Sequence, residues 1–243
     1  MRRQAVVLVA GSGLRLRPLT DRSPKCLLEV GGRSILERLL ERLAEARITR
    51  GVLVTGYLSH RIEEHLARHA APFEVSLAPN PAYATTNNVV SLLAARSHLG
   101  PGSLVICDGD VVLSSDAICR LMDESEPCAL LVDQEARLAE EEMKVMLDSR
   151  GRVTRLSKTI DPKAAAGESI GIQKIGGPAL GRLWPTLDEL VRSGRTDVFY
   201  EEGFQRMIDS GTSFSAVPVS STEWTEIDSK EDFEDACARF AGR

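Results

Sequence analysis

A three-layer α/β/α fold around a mainly parallel sheet is what the 243-residue sequence predicts, on three observations. Apolar runs alternate with amphipathic segments through the first half, the rhythm of repeated β-α-β units. The first apolar run, residues 5–9, reads as a buried strand with glycines directly behind it. After about residue 126 the rhythm changes to closely spaced strands and glycine-closed helices, a smaller β-hairpin and helical part.

In order, residues 4–10 read as a strand and 34–47 as a helix. In that helix Ile35, Leu36, Leu39, Leu40 and Leu43 share one face. Ser34 and Glu37 make a capping box at its start, each side chain satisfying the other's free backbone N–H. A strand at 51–55, a helix at 59–70, a strand near 73–78, a helix at 87–98 and a strand at 103–107 follow. Residues 128–134 read as a strand, 144–158 as two strands joined at 149–151, and 168–175 as another. Residues 177–194 and 197–211 are helical, each closed by glycine. Residues 214–220 form a late strand. The last helix, 229–241, carries Phe233, Ala236, Cys237 and Phe240 at helical spacing. With no repeat, low-complexity run or linker, residues 1–243 form one domain with a first half at about 1–126 and a second at about 127–243.

The formal charge of −5 argues against nucleic acid or an anionic membrane as the main partner. Within that acidic whole, Arg15, Arg17, Arg22 and Lys25 crowd into the glycine segment, which suits a small anionic ligand. Cys26, Cys107, Cys119, Cys128 and Cys237 form no CxxC pair and no zinc-ligand spacing. Their odd number, mostly within apolar runs, suggests reduced thiols in a cytoplasmic protein. No small-residue cleavage site follows the basic N-terminus, and no stretch approaches the ~18 apolar residues of a membrane span.

The glycine segment fits neither of two common phosphate loops. Gly11 and Gly13 are present, but Leu16 stands where a dinucleotide fingerprint needs its third glycine, and Pro18 and Pro24 prevent one continuous helix. The glycine-lysine-serine/threonine end of an NTPase P-loop is absent too. The physics still points to phosphate: glycines let the backbone approach an anion, and successive N–H groups can cradle it. Arg15 offers a planar fork for phosphate oxygens, and Lys25 a mobile point charge.

The segment "AGSGLRLRPLTDRSPKCLLEVGGRSILE" closely resembles the signature of nucleotidyltransferases that make sugar nucleotides and related activated alcohols. "NPAYATTNNVVSLLAAR", "EEMKVMLDSRGRVTRLSKTI", "GESIGIQKI" and "TEIDSKEDFEDA" narrow it, being similar to the bacterial phosphocholine and 2-aminoethylphosphonate cytidylyltransferases. The resemblance spans essentially the whole chain and implies a Rossmann-like nucleotidyltransferase fold. It implies transfer of CMP from CTP to a small amino-alcohol phosphate or aminophosphonate, with Mg²⁺ as cofactor. Nucleic acid and membrane are not expected as partners, and a homodimer stays open. A sugar-1-phosphate nucleotidyltransferase using UTP, dTTP or GTP, and a catalytically silent nucleotide-binding regulatory relative, are the alternatives.

In such a reaction an acceptor oxygen attacks the α-phosphorus of the triphosphate, and pyrophosphate leaves. The nucleophile is already anionic near neutrality, a phosphomonoester's second pKa being about 6, so positioning and cations matter more than a base. Nucleotide contacts are expected from Val9, Ala10, Gly11, Ser12 and Gly13. Carboxylates for a metal belong at the C-terminal ends of strands. The resemblance favours Asp110 and Asp228 as metal ligands, with Asp108 a ribose or supporting contact. Plainer accounts are a turn at 108–110 and, for Asp228, a flank to the helix start made by Ser229 and Asp232. Lys25, Arg15 and Lys158 are the expected catalytic cations; as a plain alternative, Lys158 is a solvated residue at a strand end. Thr86, Asn87 and Asn88 either cap a helix or read a pyrimidine edge, cytosine by resemblance, with uracil left open. For the far end of the acceptor, Glu168, Tyr200, Glu201 and Glu226 are the candidates. Tyr200 and its glutamates would form a lid over a cationic head group, or else belong to an ordinary amphipathic helix.

Overall fold

The computed structural model describes residues 2–114 and 116–241. Its central strand, β1 (Arg3–Val9), is buried on both faces, with Ala5, Val7 and Val9 in one apolar cluster and Val6 in the other. A loop with short 3-10 turns at Leu14–Leu16 and Lys25–Leu27 follows. Next come the small hairpin β2 (Glu29–Val30) and β3 (Arg33–Ser34), then α1 (Ile35–Glu45). The expected capping box is formed: Glu37 N–H donates to Ser34 Oγ at 3.1 Å, and Ser34 N–H donates to Glu37 at 2.7 Å. β4 (Arg50–Thr55), α2 (Ser59–Arg68), β5 (Glu74–Pro79), α3 (Asn88–Ala94) and β6 (Ser103–Asp108) complete the repeated β-α pattern. The helix expected over 87–98 ends early, and its last turn tightens into a 3-10 turn at Arg96–His98.

The second half adds β7 (Val111–Leu113), α4 (Ala117–Asp123), β8 (Cys128–Asp133), β9 (Lys144–Leu147), β10 (Val153–Ser157) and β11 (Gly167–Ile175). It ends with α5 (Gly177–Arg192), α6 (Glu201–Asp209), β12 (Ser215–Val219), β13 (Trp224–Glu226) and α7 (Lys230–Arg239). The sequence reading had no β2, β3, β7, α4 or β13. Most of these are two or three residues long, too short to carry a period.

One nine-stranded sheet crosses both halves in the order β10-β9-β11-β6-β1-β4-β5, with β8 against β11 and β12 against β8. The block β6-β1-β4-β5 is parallel throughout. β11 joins it antiparallel along β6 and also pairs with β8 and β9. Its pairing is irregular between Ser169 and Gln173, and Gly171 there takes φ +74°. A Cβ on Gly171 would stand 2.5 Å from Asp108 Oδ2, so only glycine leaves that carboxylate its place.

Helices cover both faces. α1, α2 and α4 bury Leu39, Leu43, Ile62 and Leu121 on one side. α3, α5 and α6 bury Leu92, Leu187 and Phe204 on the other. A third, smaller cluster joins Leu16 and Leu28 near the glycine loop to Val112, Ile227, Ala236 and Phe240. It ties the loop after β1 to the C-terminal helix. No helix among the described residues is long and apolar enough to cross a membrane, and all five cysteines are free thiols.

Candidate functional site

The chain leaves β1 for β4 on one side and returns to β6 on the other, which opens a crevice at the C-terminal ends of β1 and β6. A cleft fills it in two lobes of about 420 and 740 Å³, which share Leu8, Gly11, Arg15, Asp110 and Asp228. The smaller lobe is lined by Val9, Gly11, Ser12, Gly13 and Lys25, and Ala10 lines the larger. Gly13, at φ +59°, turns the loop, and a Cβ there would press on Thr20 and Lys25. Around Gly11 the space is open, so a ligand can approach the backbone. Leu16, fully buried, and Thr20 Oγ1, donating to Gly13 O at 2.8 Å, hold the loop in this shape.

At the shared wall the charges are paired. Lys25 Nζ donates to Asp110 Oδ2 at 2.8 Å and to Asp228 Oδ1 at 2.6 Å, and Arg15 reaches Asp228 Oδ2 at 2.6 Å. Burial alone would pull the Lys25 ammonium down, but the two carboxylates overcome it and raise its pKa. Burial would raise Asp228, yet Lys25 and Arg15 hold it below the usual carboxylate range. The meeting of these distant residues rests on β13 pairing antiparallel with β7, which sets Glu226 opposite Val111. Ile227 N–H then donates to Asp110 O at 3.1 Å. Asp228 immediately precedes the second capping box, in which Asp232 N–H donates to Ser229 Oγ at 3.1 Å.

This wall fits a hard cation. Asp110 Oδ1 is buried without a hydrogen-bond partner. One carboxylate oxygen from each of Asp110, Glu226 and Asp228 lies within 4.8 Å of the others, an all-oxygen donor set of the kind Mg²⁺ takes. Glu226 therefore stands with these carboxylates rather than with the acceptor-end group in which the sequence reading set it. Its side chain reaches solvent, but the crowded cleft wall, then Asp110 and Asp228, push its carboxyl up to about 8.

The larger lobe carries Thr86, Asn87, Asn88, Asp108, Lys158, Glu168 and Glu201. Asp108 ends β6 and accepts from Tyr200 Oη at 3.2 Å; burial, then Glu201, raise its carboxyl well above the ordinary range. Asn87 caps α3 by accepting from Asn88 N–H at 2.7 Å, and its Nδ2 donates to Asp197 O at 3.2 Å. Asn88 Oδ1 accepts from Tyr200 N–H at 2.8 Å. The capping role is thus present, and both amides also tether the segment before α6. Lys158 is half-buried, with its ammonium 4.6 Å from the centre of the Phe199 ring.

Tyr200 requires a correction. It is fully buried, does not line the cleft, and donates its hydroxyl to Gln173 Oε1 at 3.0 Å as well as to Asp108. Its ring packs edge-on against Phe204 in the core, so it covers no head group. The helix start turns the neighbouring Phe199 outward instead. Sequence reasoning missed Phe199, Glu142 and Met143 as cleft-lining residues. Glu142 and Met143 lie before β9 in a loop without periodicity. No local signal marks them, because the loop is shaped by Lys144, wholly buried in the fold, whose ammonium donates to the carbonyls of Ala139, Glu140 and Glu142.

A parallel sheet with a glycine loop behind its first strand and a cation-paired aspartate wall defines a nucleotidyltransferase-type α/β protein. Residues 5–175 match the MobA-like NTP transferase domain, and the chain belongs to that family. Its relatives include the CMP-5'-(3-aminopropyl)phosphonate synthase of Streptomyces rubellomurinus, 29% identical over 98% of this chain. The chain spans only 39% of that protein's length. The 2-aminoethylphosphonate cytidylyltransferase of Lancefieldella rimae is 27% identical over 93% of this chain and 88% of its own. Among solved structures, the CTP:phosphocholine cytidylyltransferase of Streptococcus pneumoniae superposes with a TM-score of 0.83 at 22% identity, covering 98% of this chain and 99% of that one. At that identity the likeness is one of fold.

Proposed function

We propose that the chain transfers CMP from CTP to a small amino-alcohol phosphate or aminophosphonate and releases pyrophosphate. The observation that carries this reading is the Lys25–Asp110–Asp228 set at the mouth of the glycine loop, in a chain whose relatives are named as cytidylyltransferases. An anionic oxygen of the acceptor forms a bond to the α-phosphorus. The bond from that phosphorus to the bridging oxygen breaks, and its electron pair leaves with pyrophosphate.

The obstacle is repulsion between anions, and the chain answers it with fixed positive charge. The backbone of Val9, Ala10, Gly11, Ser12 and Gly13 approaches the nucleotide, with Arg15 and Lys25 beside its phosphates. Lys158, on the opposite rim, holds the acceptor phosphate or phosphonate. Asp110 and Asp228, with Glu226 beside them, would hold Mg²⁺, which supplies charge neutralisation at the reacting phosphates. Thr86, Asn87 and Asn88 border the base, and Asp108 supports the cleft floor through Tyr200.

Pyrophosphate release across a matrix of nucleoside triphosphates and acceptors tests this. The acceptors are phosphocholine, phosphoethanolamine, 2-aminoethylphosphonate, inositol phosphate and hexose 1-phosphates. Turnover is expected with CTP and the aminated acceptors. Turnover only with a hexose phosphate and UTP or dTTP replaces this reading with a sugar-1-phosphate nucleotidyltransferase. No pyrophosphate from any pair replaces it with a nucleotide-binding regulatory role.

A further inference from the structure

Glu201 opens α6 with its side chain only 4% exposed and lining the larger lobe of the cleft. Its Oε2 has no hydrogen-bond partner. An unpaired carboxylate oxygen removed from water is costly, and such atoms in folded proteins call for a donor. Burial pushes the Glu201 carboxyl up to about 7. Glu168, on β11, is raised to about 7 by burial, then by Glu142 and Asp133. Among the described residues neither glutamate has a cationic side chain within 4 Å, because the nearby Lys158 ammonium is turned onto the Phe199 ring.

We infer that Glu201 anchors a primary ammonium at the far end of the acceptor, so that the protein selects aminoalkyl phosphates or phosphonates over their trimethylammonium counterparts. This rests on the cytidylyl-transfer reading above. A primary ammonium carries three N–H donors, and one of them satisfies Oε2; a trimethylammonium carries none. A quaternary group needs open aromatic faces instead. Tyr200 is sealed in the core, and Phe199 already faces the Lys158 ammonium. Trp224 is 8% exposed, with its indole N–H donated to Asp133 at 2.8 Å. Tyr83 lines the same lobe but packs beside Gly56 and Ala10, on the glycine-loop side. This end of the cleft therefore offers hydrogen-bond acceptors, and its one outward ring among the described residues, Phe199, already carries the Lys158 ammonium.

Three acceptors of one chain length test the inference with CTP: 2-aminoethylphosphonate, its N,N,N-trimethyl derivative and ethylphosphonate. The expected kcat/KM falls about 10- to 100-fold on trimethylation and by a similar factor on removing the amine, the range for a hydrogen bond to a charged group. In Glu201→Gln the ratio of aminoethyl to ethyl acceptor moves toward unity. A purely structural role would lower both acceptors by the same factor and keep the ratio, which overturns the inference. Trimethyl turnover equal to or above that of the amine overturns it in the unmodified protein and leaves cytidylyl transfer standing. A changed CTP-to-UTP preference in Glu201→Gln with the acceptor ratio intact assigns the residue to the base's exocyclic amine, and also overturns it. Pyrophosphate from no acceptor removes this inference together with the functional reading on which it rests.

Discussion

At the glycine-loop end of the cleft, Lys25 and Arg15 each lie within 2.8 Å of an aspartate oxygen; at the other end Glu168 and Glu201 have no cation within 4 Å among the described residues. The first end is neutralised by the chain's own charges and lies against the small core of Leu16, Ile227 and Phe240. The second holds Glu168 and Glu201, which burial has pushed toward protonation with no cation beside them; at the first end Glu226 is pushed up as well, against the pull of Lys25. The contrast separates charges that the fold has paired from carboxyls that it leaves without a cation among the described residues. Groups that stabilise a reaction of anions gain from being preorganised. A recognition group gains selectivity by having its partner arrive with the substrate.

The largest expected effect lies at the paired end. Asp110→Asn and Asp228→Asn should each lower pyrophosphate release by about 10²–10³, the range for losing one fixed electrostatic group, while thermal melts stay close to the parent. Near-normal turnover in either would break the contrast, for the pairing would then be structural only. Next is Gly171→Ala, which places a methyl 2.5 Å from Asp108 Oδ2 at a backbone angle of +74°. It should cost about 1–3 kcal/mol of stability, read by denaturant titration. An unchanged midpoint would show that Asp108 is free to move.

Tyr200→Phe sharpens the comparison from beneath the cleft. It deprives Asp108 and Gln173 of one donor, so stability should fall by about 1–2 kcal/mol while acceptor selectivity stays as it was. A changed selectivity would return Tyr200 to the acceptor wall. The smallest effect is a slope in pH. Glu168 and Glu201 titrate at about 7 when folded, against about 4.5 for an ordinary glutamate. The folded protein thus holds more protons than the unfolded one between those values, and stability falls as pH rises from about 4.5 to about 7. At the paired end Asp228 has the opposite sign: it is depressed, so its contribution is present above the usual carboxylate range and is lost as pH falls through its lowered pKa, while Glu226, raised to about 8, extends the fall in stability to higher pH. Glu168→Gln should flatten the upper slope in melts across this range and leave the acid limb unchanged.

Much of the fold was legible wherever its signals are local. The capping boxes at Ser34–Glu37 and Ser229–Asp232 form as read, since each needs only four consecutive residues. The apolar runs became strands for the same reason, within a residue or two at their ends. Orientation at the start of α6 was not legible. Phe199 and Tyr200 are adjacent aromatics, and only the tether from Asn88 to the Tyr200 N–H, with the core around Phe204, decides which of them turns inward.

By itself, the sequence determined the β-α-β order, the loop with its glycines at 11 and 13, and a pool of cations and carboxylates suited to phosphate chemistry. The tertiary structure decided which of them meet. Lys25 and Asp228 are 203 residues apart, and their 2.6 Å contact depends on the three-residue pairing of β13 with β7. Periodicity and capping are set by neighbours along the chain, whereas that pairing gains its stability from the Leu16–Phe240 core beneath it, which exists only once the chain has folded.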